Sequence, residues 1–156
     1  MPETDIFLVL WRHGVPFTII GGHAVNFHGY VRATEDADLV WLRTPDSEVR
    51  LLAALTELGA RYYGTEKDPA TGLEKDYAVS LPYIQSMQLM MLWTRDGFVD
   101  LFAYVPGLPD VPVQQLIDTS VENNGLRYVT RDWLFKLKRA SGRTKDLLDI
   151  EQLSGD

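Results

Sequence analysis

The chain has 156 residues, 46% of them hydrophobic, and a formal net charge of −7. That length and content suit one domain with a real core and argue against disorder, while the acidic balance disfavours non-specific nucleic-acid binding by the whole surface. The lack of cysteine excludes disulfides, thiolate catalysis and Cys-based zinc sites.

No apolar run reaches about 18 residues, so no transmembrane helix is expected. The start, Met1 to Asp5, is acidic and lacks the basic segment of a secretory signal. A single domain over residues 1–156 in the cytoplasm is the expectation. The elements follow in chain order. Asp5 to Arg12 reads as a helix whose apolar residues are too mixed to fix one face, ended by His13-Gly14. The β-branched run at residues 16–20 reads as a strand, and Ala24 to Gly29 as the body of a short helix over about 23–29. Residues 37–42 read as a second strand. Thr44-Pro45-Asp46 is a turn with Asp46 as the capping group. Val49, Leu52, Ala53, Leu55 and Leu58 then recur at helical spacing up to Gly59.

Residues 64–75, rich in charge and with Gly64, Pro69 and Gly72, read as a loop at the site entrance, and residues 60–85 as the pocket walls. Asp76 to Leu81 reads as a strand. The apolar runs 88–93 and 98–102 flank Asp96-Gly97, a strong hairpin signal, and place Met87, Met90 and Met91 in the core. Pro106 to Pro112 is a connector, Gln114 to Thr119 a helix, and Arg127 to Val129 a short strand. Thr130 caps a helix that Gly142 stops, with Trp133, Leu134 and Leu137 inward. Thr144 caps a last helix with Leu147, Leu148, Ile150 and Leu153 as its apolar residues. The fold class is α/β, of the α+β kind: a mixed, mostly antiparallel sheet flanked by helices, with a helical C-terminus.

Two features carry chemistry. In an extended strand, Asp36 and Asp38 project to one face with Val40, and Ala37, Leu39 and Trp41 to the other. Two carboxylates side by side repel unless a cation sits between them, and a hard divalent ion is the usual answer. Taken alone, the pair also suits a solvent-facing strand edge. Asp100 sits between Val99 and Leu101 in an apolar strand, where an unpaired charge is costly, so it requires an ion-pair partner or a metal. Upstream, a strand runs into Gly21-Gly22 and a helix start, which lets backbone N–H groups approach a phosphate. Of the fifteen basic residues, Arg131, Lys136, Lys138, Arg139, Arg143 and Lys145 cluster near the C-terminus as a positive patch.

Gly21-Gly22, then Arg32-x-Thr34-x-Asp36-x-Asp38, then Asp100 on a later strand, resembles the nucleotidyltransferase fold superfamily. The segment from Leu134 to Ile150 is similar to the ending of small bacterial members, including stand-alone nucleotidyltransferase-like proteins and toxins of the AbiEii type. The resemblance implies a mixed sheet and an Mg²⁺- or Mn²⁺-dependent transfer of NMP from an NTP to a hydroxyl. The acceptor is a tRNA, a protein or a small molecule. In it, Asp36 and Asp38 hold two metals, and Asp100 holds the one that activates the acceptor.

The family often carries Ser where Gly22 stands. Phosphate contact here then rests on the backbone at Gly21 and Gly22 and on a basic side chain. Lys138 is the candidate, with Arg143 and Lys145 behind it. His23 adjoins the glycines as a pocket residue or an ordinary polar contact; His13, His23 and His28 make no convincing metal set. Arg32 pairs with a carboxylate behind the site, and Thr34 caps the turn or orients Asp36. Two rival readings stand beside the enzyme: a catalytically silent antitoxin or regulator, and a nucleotide-binding module without transfer. Three intact aspartates favour the enzyme.

Overall fold

The computed structural model describes residues 2–34 and 36–155; Met1, Glu35 and Asp156 lie outside the described residues. One eight-stranded sheet runs in the order β4-β3-β5-β6-β2-β1-β8-β7. Its strands are β1 (Phe17–Ile20), β2 (Asp36–Trp41), β3 (Arg61–Lys67), β4 (Glu74–Ala78), β5 (Leu89–Thr94), β6 (Gly97–Phe102), β7 (Val121–Asn123) and β8 (Leu126–Tyr128). Among the described residues, only β1–β8 and β2–β6 pair in parallel. The helices are α1 (Pro2–Arg12), α2 (Gly21–Phe27), α3 (Pro45–Glu57), α4 (Leu81–Ser86), α5 (Val113–Asp118), α6 (Arg131–Ser141) and α7 (Thr144–Ser154).

Strand alternation builds two cores. Phe17 and Ile19 of β1, Ala37, Leu39 and Trp41 of β2, and Val99 and Leu101 of β6 face one side, where Leu10, Leu51, Leu55 and Ile84 of α1, α3 and α4 cover them. Ile20 and Val40 face the other side, beneath Val25, Leu116, Leu134, Leu137 and Leu153 of α2, α5, α6 and α7. Phe102 packs against this second core. On the same sheet face, however, Phe98 and Met91 are 56% and 65% exposed. The second face is therefore covered at one end of β2 and β6 and bare at the other. Asp36, Asp38 and Asp100 fall between.

Local signals fix several boundaries. The Thr130 hydroxyl accepts from the Trp133 N–H at 3.2 Å, and Gly142 ends α6 at φ 67°. The Asp96-Gly97 turn closes the β5–β6 hairpin. Other expectations shift. Thr44, not Asp46, caps α3, in a reciprocal pair with Ser47, while Asp46 pairs with Arg50. Helix α3 buries Ser47, Glu48, Leu51, Ala54 and Leu55 and exposes Val49; Arg43 reaches Glu48 at 2.8 Å and pins that rotation. Residues 61–78 form a hairpin at the sheet edge, with a loop only between β3 and β4. It lies three strands or more from β2, which removes it from the site entrance. Leu81 opens α4 rather than ending a strand. Met90 is buried, but Met91 faces solvent. Asn124-Gly125, at φ 53° and 87°, turns an unforeseen β7–β8 hairpin.

Candidate active site

Asp38 lies opposite Asp100 in the parallel β2–β6 register and opposite Ile20 in the antiparallel β1–β2 register. Asp36 stands two residues earlier, beside Phe98. Period-two alternation thus gathers three carboxylates from two neighbouring strands onto one face. The next pair in the same ladder, Val40 and Phe102, is apolar, so the acids sit at the border of the second core.

The glycine turn closes on them. Gly21 adopts φ 66°, and a Cβ there would crowd the Asp38 carboxylate, lying 3.0 Å from its Cβ. Only glycine meets both demands. A Cβ on Gly22 would overlap the Thr34 hydroxyl, so that hydroxyl fills the space a serine would need. Thr34 Oγ1 also donates to the Asp36 carbonyl at 3.3 Å. Helix α2 begins at Gly21, and no side chain caps it.

Electrostatics at the acids run one way. The Asp38 carboxyl is raised from its ordinary value to about 7 by burial, by the charges of Asp100 and Asp36 and by its hydrogen bond with Asp100, against the pull of Lys138. Burial and Asp36 raise Asp100 as well, although the bond with Asp38 opposes this. Negative charge here is under-compensated.

A group with a raised folded pKa stabilises the fold most below its unfolded value, about 3.9 for Asp, and that contribution is lost as pH rises through the folded value. The metal-free protein is therefore expected to lose melting temperature between about pH 4 and pH 7. Asp38→Asn should flatten that loss. A wild-type-minus-variant difference that stays constant over this range, read by thermal melts in chelator, would show that Asp38 has no raised pKa.

Beside the acids lies a polar pocket of about 160 Å³ whose cationic lining is Arg32, Lys138, Arg143 and Lys145, together with Gly21, Gly22 and Thr34. The C-terminal cations are not a free patch. The Lys138 ammonium is buried and donates to Asp146 Oδ1 and Asp149 Oδ2, each at 3.0 Å. Arg32 grips Asp149 with two bonds of 2.9 Å, and Arg143 grips Asp146 with bonds of 2.7 and 3.2 Å. Burial works to raise both aspartates, but hydrogen bonds from Arg143, Ser141 and Lys138 at Asp146, and from Arg32 and Lys138 at Asp149, pull both below the ordinary value.

The network clamps α7 to α6 and to the segment before β2. Two of the three N–H groups of Lys138 are used in it, which leaves one for the pocket. Elsewhere Arg131 donates to the His28 carbonyl, Lys136 lies over Trp133 and Arg139 over Phe135. The basic cluster of the sequence therefore disperses.

Asp146 and Asp149, which hold the cations lining the pocket, are residues that sequence reading missed. With Leu153 they form the buried face of α7, while Leu147 and Leu148 are 52% and 45% exposed. The signal was present as the spacing 146, 149, 153, hidden by the habit of placing leucines inward. Arg143, not Thr144, is the cap position of α7, without a side-chain bond. His23 does not line the polar pocket; its ring meets Phe7 edge-on at 5.2 Å. His13 pairs with Glu57 and His28 with the Val129 carbonyl.

Among the described residues, no three His, Asp or Glu side chains converge as a ready metal cage. The donor set at Asp36, Asp38 and Asp100 nevertheless fits a hard divalent cation: carboxylate oxygens, partly buried, with repulsion between them that such an ion would relieve.

The mixed sheet flanked by helices, with a helical C-terminus, is a nucleotidyltransferase-like fold. The sequence matches no family model and no curated protein. Solved structures match in shape. ANT(2'')-Ia, an antibiotic-resistance factor and nucleotidyltransferase, aligns at TM-score 0.57 and 14% identity over 97% of this chain and 80% of its own. JHP933 from Helicobacter pylori aligns at TM-score 0.52 and 13% identity over 97% of this chain. The chain spans 64% of the length of JHP933. No helix among the described residues is long and apolar enough to cross a membrane.

Proposed function

We propose that the protein is a metal-dependent nucleotidyltransferase that moves NMP from an NTP to a hydroxyl acceptor. The observation that carries this is the direct register of Asp38 with Asp100, with Asp36 beside them, next to a pocket lined by four cationic side chains. Asp36, Asp38 and Asp100 would hold divalent metal, Mg²⁺ or Mn²⁺, which when bound neutralises the developing charge on attacking and leaving oxygens. Arg143, Lys145, Arg32 and the remaining N–H of Lys138 receive the triphosphate by charge-assisted bonds. Gly21 and Gly22 let it come close to the backbone. Thr34 supplies from across the turn the hydroxyl that Gly22 cannot carry. His23 supports the turn against Phe7 rather than touching substrate.

The acceptor, a hydroxyl of a tRNA, a protein or a small molecule, meets the α-phosphate from the Asp100 side, and pyrophosphate leaves. Such a reaction belongs in the cytoplasm, where NTPs are plentiful. The AbiEii-like ending extends the proposal to a role in a toxin–antitoxin pair.

The test pairs calorimetry of Mg·ATP with pyrophosphate release in cell extract. Wild type should bind and release. The Asp36→Asn/Asp38→Asn double variant should lose metal binding while the metal-free melting temperature holds or rises, because two close like charges are gone. A large fall in that temperature would make the pair structural, and NTP binding without release would leave a nucleotide-binding regulator.

A further inference from the structure

A second cavity adjoins the polar pocket. It has a volume of about 320 Å³ and shares Gly21, Asp38, Lys138 and Arg143 with its neighbour. Beyond those four its walls are mostly apolar, from Ile20, Phe102, Pro106, Leu134 and Leu137, with Ser141 and Asp146 as the polar exceptions. The change of character follows from the ladder. One step past Asp38 and Asp100, the same sheet face presents Val40 and Phe102, and α6 closes over them with Leu134 and Leu137. The cavity is of the size of small-ligand sites, about 300–1,000 Å³.

An NTP has the matching form: an anionic tail joined to a flat, largely apolar body. Resting on the transferase reading above, we propose that the slot under α6 encloses the nucleobase and leaves its identity unread. The tail lies among the four cations and the base on Phe102, between Leu137 and Pro106. The acceptor is thereby left the open side of the acids, where the sheet is bare at Phe98 and Met91.

The absence of base readout follows from the lining. Apart from the groups shared with the phosphate pocket, its polar side chains are Ser141 and Asp146. Both oxygens of Asp146 already accept bonds from Lys138 and Arg143, and the Ser141 hydroxyl is a rotatable group that both donates and accepts, so it favours no one base. A site rejects a wrong substrate strongly only when it offers hydrogen-bonding groups that the wrong substrate leaves unpaired; an apolar slot discriminates by shape alone, and weakly.

The experiment measures dissociation constants of the full chain for ATP, GTP, CTP, UTP and inorganic tripolyphosphate, each with Mg²⁺. The four NTPs should agree within about tenfold, and each should bind at least about tenfold more tightly than tripolyphosphate. Ser141 is exposed at the slot mouth, so Ser141→Trp adds bulk without entering the core. It should reduce NTP affinity to that of tripolyphosphate and leave tripolyphosphate unchanged. Leu137→Trp places the same bulk on the inner wall, for the case in which an indole at position 141 turns to solvent.

A preference above tenfold for one base overturns the unread base. NTP affinity unchanged in both variants overturns the slot, while the transferase reading stands. Failure of wild type to bind either NTP or tripolyphosphate removes both.

Discussion

Asp100→Asn should cut transfer by three orders of magnitude or more while leaving Mg·NTP affinity within a few-fold. In the proposed function the triphosphate rests on the cations that line the polar pocket, Arg32, Lys138, Arg143 and Lys145, and on the glycine turn, not on Asp100. Asp38 and Asp36 remain to hold charge beside it. What the asparagine removes is the carboxylate opposite Asp38, which the proposal assigns to the acceptor. Positioning and activation of the attacking hydroxyl supply much of the acceleration in such reactions. The Asn keeps the shape of the side chain, and it removes one of the charges that raise Asp38, so the fold should lose nothing. The measurement is an NTP titration beside a transfer assay on labelled NTP. Transfer at the wild-type rate would make Asp100 a buried partner of Asp38 and no more.

Lys138→Met should lower the unfolding free energy by about 3 kcal/mol, since breaking a buried ion pair from one side strands the other charge. Both of its partners, Asp146 and Asp149, are 1% exposed. Each keeps one arginine, which holds the loss near the lower end of the usual range. Urea denaturation reads this directly. The lysine is therefore an anchor of α7 as well as a phosphate candidate, and its removal is no clean probe of the phosphates. Arg143 is the better probe, because its side chain is 69% exposed and Asp146 keeps its buried bond to Lys138 when the arginine is removed. Arg143→Ala should weaken NTP binding several-fold more than NMP binding while the unfolding midpoint falls by less than in Lys138→Met. A Lys138→Met variant as stable as wild type would show that the two arginines alone satisfy the buried aspartates.

Much of the candidate site's geometry was legible because its signals are local. Alternation along residues 36–41 assigns faces without knowledge of the fold, and a glycine pair after a β-branched run marks a turn wherever it occurs. The Asp96-Gly97 hairpin and the Thr130 and Gly142 caps are of the same kind. What stayed hidden depends on partners distant in the chain. Arg32 and Asp149 meet across more than a hundred positions, and no periodicity announces that pairing. The leucines of α7 suggested an inward apolar face, yet the buried charges took it, because Lys138 and the two arginines pay for their desolvation. Residues 64–75 misled for a different reason: charge and glycine mark an exposed edge hairpin as readily as a site entrance.

The parallel contact of Ile19 with Tyr128 has a consequence for how the chain is made. Strand β1 acquires its neighbour β2 early, but its other edge stays open until residues from Leu126 onward have left the ribosome. An open strand edge is a template for wrong partners, so nascent chains on one polysome expose that hazard to each other throughout elongation. The acids of β2 and β6 emerge before the cations of α6 and α7. Until those helices dock, the acids of a half-made chain have Arg32 beside them but lack Lys138, Arg143 and Lys145.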